Sequence, residues 1–148
     1  MQNSGGCVDW DGAVNVGLFA EKLVGVFRAL AAAGEQGSVV IHCAAGRDRS
    51  GMVSAMLQDL AGDSDQDIAA GYARAARGIN ERYRTHGPPH ARERYVPEVE
   101  LAPLLELRGG AAVSFVRELD TREFLLEHEF SPAELTALLS LLGSRVHL

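Results

Sequence analysis

Cys43 is followed six residues later by Arg49, with His42 directly before the cysteine, Gly46 and Asp48 inside the interval and Ser50 just past it. These residue types support one kind of chemistry together. A thiolate is a strong nucleophile, and a guanidinium forks two N–H donors onto the oxygens of a tetrahedral anion in a way a lysine cannot. In a chain with two cysteines and thirteen arginines the spacing alone is a weak signal. Its setting sharpens it. A β-branched run over residues 38–42 leads into the cysteine, Gly46 permits a turn with φ > 0, and Ser50-Gly51 opens a helix whose free N–H groups point back into the loop. Such a loop is a nest of amides for an anion, and the same amides with the helix dipole favour thiolate over thiol at Cys43.

The elements that must position this loop follow from periodicity. Val16, Phe19, Leu23, Val26, Phe27 and Leu30 recur at three and four, which predicts a helix over about residues 15–33 with Gly34 as its left-handed stop. Residues 38–42 are too short for a helix and read as a buried strand of a parallel sheet. Met52, Val53, Met56, Leu57 and Leu60 predict a helix over 50–60 that ends before Gly62, and Asp63 or Ser64 caps the next one, over about 65–85. Residues 86–97 form a Gly/Pro/Arg loop. Two short helices are expected over 97–107 and 111–119, separated by Gly109-Gly110, with a further turn over 122–127. Ser131-Pro132-Ala133-Glu134 matches a capping box with Pro at the first helical position, so a last helix should reach about Leu142 before Gly143. One strand cannot pair with itself, and 8–10 and 94–96 are the only other candidates. The expected fold class is therefore α/β, helix-rich with a reduced parallel sheet, in a single domain over 1–148.

Composition bounds the rest. Apolar residues make up 47% and charged residues 23%, as in ordinary globular chains, and a net charge of −6 argues against broad nucleic-acid or acidic-membrane binding. Cys7 and Cys43 make no disulfide framework and show no metal-ligand spacing, so no cofactor or metal is expected. A reducing cytoplasm is the expected setting, since no signal segment and no membrane-length apolar run is visible. Plainer readings stand beside the sharp ones. Arg47 faces either substrate charge or solvent; Arg92 and Arg94 read as a solvated loop before they read as phosphate collectors; Cys7 reads as an unremarkable cysteine before it reads as a disulfide partner for Cys43.

The run His42-Cys43-Ala44-Ala45-Gly46-Arg47-Asp48-Arg49-Ser50-Gly51 resembles the signature of the cysteine-based protein tyrosine phosphatase superfamily, and its Gly-Arg-Asp-Arg-Ser-Gly portion looks most like the bacterial tyrosine phosphatases that also act on phosphoinositides. The resemblance implies a phosphatase-like fold and hydrolysis of phosphomonoesters through a phosphocysteine, with phosphotyrosine proteins the first substrate class and phosphoinositides the second. It makes Cys43 the nucleophile, Arg49 the phosphate clamp, Ser50 the donor that eases departure of the sulfur and His42 an orienting residue, with the backbone of Ala44, Ala45, Gly46, Arg47, Asp48 and Arg49 as the phosphate cradle. The proton donor is left between Asp48, the favoured choice, and Asp9 or Asp11 beside Trp10. Relatives of that kind carry several strands ahead of the helix that leads to the signature. The chain is therefore expected to be N-terminally truncated relative to the family, a missing segment or a partner completing the sheet. Gly71 stands where relatives usually have aspartate, and Arg47 where they usually have lysine. A non-catalytic phosphate-binding or interaction module is the alternative from another class, and a thiol oxidoreductase ranks third.

Overall fold

Apolar residues at three and four build six helices among the residues described by the computed structural model, which are 12–34, 37–43, 45–89, 91 and 93–143. They are α1 (Gly12–Gly34), α2 (Arg49–Leu60), α3 (Asp65–His86), α4 (Glu98–Leu119), α5 (Thr121–Glu127) and α6 (Pro132–Leu141). Leu23, Val24, Phe27, Leu30 and Ala31 form the buried stripe of α1, whereas Phe19 and Val26 remain largely exposed. That stripe lies mainly against α6; α3 lies mainly against α4, and α2 is held between α3, α4 and α5. The centre of the core is Phe27, Met56, Ile68, Val116, Leu125, Phe130 and Leu138.

The helix starts follow their capping chemistry. Ser64 accepts the Asp67 amide at 3.2 Å at the head of α3, and Ser131 with Glu134 closes a reciprocal capping box on α6, with Pro132 at the first helical position. Gly62 and Gly143 both adopt positive φ just beyond α2 and α6, as their positions in the sequence suggest. Arg117 of α4 binds Asp59 and Asp65 and also the Asp63 carbonyl, which fastens the α2–α3 turn to α4.

Three expectations are overturned. Gly109-Gly110 does not break a helix: α4 runs through both, and Gly109 sits against α3, where an added Cβ would lie 3.3 Å from the Cβ of Ala69. Gly34 is likewise no left-handed stop. It remains in α1 and lets that helix approach α6, an added Cβ meeting that of Leu141 at 2.9 Å; among the described residues the next positive φ is at Gly37. In both places glycine serves close packing of helices.

The larger correction concerns the sheet. No strand occurs among the described residues, so the expected α/β architecture with a reduced parallel sheet gives way to a helical one. Residues 38–43 carry no ladder, and 94–96 is likewise irregular; 8–10 lies outside the described residues. Val39 and Ile41 pack against the core while Val40 is 84% exposed, so the segment is half-buried, not covered on both faces. The physical reason is pairing: strand propensity in a β-branched run becomes a strand only when a second backbone offers donors and acceptors, and no described residue does so here.

Candidate active site

The loop after Cys43 connects the half-buried segment 38–43 to α2. Gly46 turns it at φ +68°, and the backbone amide of Gly46 then donates to the Cys43 sulfur at 3.2 Å. Ser50, 7% exposed in the first turn of α2, brings its hydroxyl to 3.3 Å from the same sulfur. Burial alone pushes the Cys43 thiol up, but the Ser50 hydroxyl and the amides of Ser50, Gly46 and Arg47 outweigh it and bring the pKa down from 9.0 to about 7. Asp48 is the N-cap of α2, yet its side chain makes no capping bond. The first-turn amides of α2 thus stay directed at the loop.

Arg49 begins α2, is exposed, and makes no ion pair with a described residue. Asp48 and Arg47 behave differently. Arg47 donates from Nε to Asp48 Oδ1 at 3.2 Å and from Nη2 to Asp48 Oδ2 at 3.4 Å, and it also grips Glu93 from Nη1 at 3.0 Å and from Nη2 at 3.2 Å. The Arg47 side chain is 18% exposed and that of Glu93 is 11% exposed. Of the two readings open for Arg47, substrate charge or solvent, neither describes this structure: the guanidinium is turned inward onto a carboxylate of the loop after α3.

Beyond the loop, a cleft of about 360 Å³ runs between α2 and α3, with His42, Gly46, Arg47 and Ser50 along one side and Tyr72 and Arg74 along the other. His42 faces this cleft, is exposed, and makes no hydrogen bond to a described residue. Of the residues expected in the cradle, Ala45, Gly46, Arg47 and Asp48 lie in the loop and Arg49 at the start of α2; Ala44 lies outside the described residues, as do Cys7, Asp9, Asp11 and Arg92. Arg94 is exposed and pairs with Glu100 at 3.4 Å. Reasoning from sequence missed Glu93. It lies between two arginines that drew attention as anion collectors, and nothing local distinguishes a carboxylate that pairs 46 residues back from one that faces water.

A half-buried cysteine with a depressed pKa, framed by backbone amides and followed by an arginine that makes no ion pair with a described residue, is the arrangement expected of a phosphatase loop. Comparison with known proteins agrees with that class. Residues 14–142 match the tyrosine phosphatase family, and the chain belongs to it. A tyrosine-protein phosphatase of Nostoc commune is 43% identical over 51 residues, a stretch that covers 34% of this chain and 17% of that protein. The match therefore spans about a sixth of the length of that relative. No solved structure matches the chain.

Proposed function

We propose that the chain hydrolyses phosphomonoesters, with phosphotyrosine in protein substrates as the first class and phosphoinositides as the second. The observation that supports this reading best is the pair of contacts on the Cys43 sulfur, from the Gly46 amide at 3.2 Å and the Ser50 hydroxyl at 3.3 Å, beside the fork of Arg49, which makes no ion pair with a described residue. In the proposed reaction the Cys43 thiolate attacks phosphorus, the ester oxygen departs with a proton, and water then cleaves the S–P bond to release inorganic phosphate and restore the thiolate. Arg49 and the loop amides hold the equatorial oxygens through both steps, and the Ser50 hydroxyl stabilises the departing sulfur in the second. Asp48 is assigned the proton, on the ground that it lies in the loop itself.

The test is release of para-nitrophenol from para-nitrophenyl phosphate by the purified chain. Cys43→Ser should abolish it, and Arg49→Ala should reduce kcat/KM by about a hundredfold or more, as expected for loss of a bidentate donor to a transferring phosphoryl group. On a poor leaving group Asp48→Asn should lose rate while Asp9→Asn and Asp11→Asn keep it; the reverse order would remove Asp48 from its role. A second reading, a phosphate-binding module without turnover, is favoured by one observation: residues 38–43 bring the cysteine to its loop with no strand among the described residues to support them. Tight vanadate binding with no hydrolysis would select it.

A further inference from the structure

The segment after α3 is tied down at two points. Asn80 of α3 accepts the Val96 amide at 2.8 Å and donates to the Val96 carbonyl at 2.9 Å, so one side chain satisfies both polar groups of a residue that belongs to no helix. Three residues earlier, Glu93 makes its two bonds to Arg47. Arg47 in turn holds both oxygens of Asp48, the next residue of the nucleophile loop. Arg47 directly follows Gly46, whose backbone amide donates to the Cys43 sulfur at 3.2 Å. The Arg47 peptide therefore adjoins the contact to the nucleophile while its side chain is anchored elsewhere.

We propose that Glu93 is a positioning residue for the nucleophile loop: by fixing the Arg47 guanidinium from a segment that Asn80 locks to α3, it fixes the Arg47 peptide in the anion cradle. A carboxylate suits this task. Two parallel N–H···O bonds set the orientation of a planar guanidinium as well as its distance, and with side chains only 18% and 11% exposed the pair is shielded from bulk screening. The Asp48 carboxylate and the buried Tyr83 phenol complete the polar neighbourhood. Burial first, and the Glu93 charge second, raise the Tyr83 phenol above its ordinary pKa of 10.0. Tyr83 thus stays a neutral wall behind the cluster, and the measured bonds of Glu93 are those to Arg47. The cationic side chain next to the loop is consequently committed to the protein, and Arg49 is left as the guanidinium for the substrate.

This role deepens the phosphatase reading and rests on it for the kinetic arm of its test; the thiol arm does not. In a Cys7→Ser background, the rate of Cys43 alkylation by iodoacetamide is followed against pH alongside hydrolysis of para-nitrophenyl phosphate. Glu93→Gln should shift the alkylation midpoint upward by about half a pH unit as the cradle loosens, and lower kcat/KM by about tenfold, mainly through kcat, because a small misplacement of the cradle costs rate. Glu93→Asp, which keeps the charge, should recover part of both. Arg47→Ala should reproduce the Glu93→Gln effects, and Arg47→Ala/Glu93→Gln should be no worse than Arg47→Ala alone. Folding of each variant is checked by its thermal melt; if Glu93→Gln is unfolded at 25 °C, the same cycle is run with Glu93→Asp and read the same way. An unmoved alkylation midpoint in a folded Glu93 variant, or additive losses in the double variant, would overturn the positioning role. Absence of turnover in the parent protein would instead remove the phosphatase reading, and the alkylation arm would still decide the role of Glu93.

Discussion

Replacing Ser50 with alanine isolates the largest of the contacts that lower the Cys43 pKa. With the thiol at about 7 in place of 9.0, about half of Cys43 is thiolate at pH 7, against about one per cent for an ordinary cysteine. The Ser50 hydroxyl lies 3.3 Å from the sulfur, and the sulfur is only half-buried, so its bond is discounted for solvent to about 1 kcal/mol, or about 0.7 of a pH unit. Ser50→Ala should therefore move the midpoint of Cys43 alkylation from about 7 to about 7.7, and the thiolate fraction at pH 7 should fall from about one half to about one sixth. Measured with iodoacetamide in the Cys7→Ser background, that is about a threefold loss of rate at pH 7, with convergence above pH 9. The sign in stability is fixed by the same numbers: a thiol that ionises more readily when folded contributes stability that is fully present above pH 9.0 and is lost as the pH falls through about 7. Ser50→Ala should narrow that window from its lower end. If the variant alkylates with the parental pH profile, the hydroxyl is not what holds the thiolate, and the amides of Ser50, Gly46 and Arg47 must carry the whole effect.

Three further outcomes concern the scaffold. Ser131→Ala removes the hydroxyl that accepts the Glu134 amide at 3.2 Å and should cost about 1 kcal/mol, seen as a fall in Tm of about 3 °C. Thr121 is fully buried and its hydroxyl has no partner among the described residues, so Thr121→Val should leave urea-unfolding stability unchanged or raise it, whereas a buried hydroxyl with a hidden role would make the change destabilising. Gly34→Ala should destabilise by about 1–3 kcal/mol despite the better helix propensity of alanine, because its Cβ would stand 2.9 Å from that of Leu141; a gain in Tm would show that α1 and α6 can part without cost.

Which features could be read from the sequence depended on how local their causes are. The capping box at Ser131, the cap at Ser64 and the left-handed glycines at 62 and 143 are written within four residues of the place where they act, and each was legible. So was the turn at Gly46, with Cys43 and Ser50 on either side of it. Gly34 and Gly109 misled because a glycine that ends a helix and one that admits a neighbouring helix look alike until Leu141 and Ala69 are in place. Val39, Val40 and Ile41 carry strand propensity, but pairing is a property of two segments, and local sequence shows only one of them. Glu93 was illegible for the same reason: its partner is 46 residues away.

The two bonds from Asn80 to Val96 have one more consequence. Amides outside helices usually exchange with solvent quickly, but the Val96 N–H is held as firmly as a helical one and by a side chain that is itself rooted in α3. Its deuterium uptake is therefore a single-site clock for the opening of the strap that bears Glu93, read in a molecule at rest and with no substrate present.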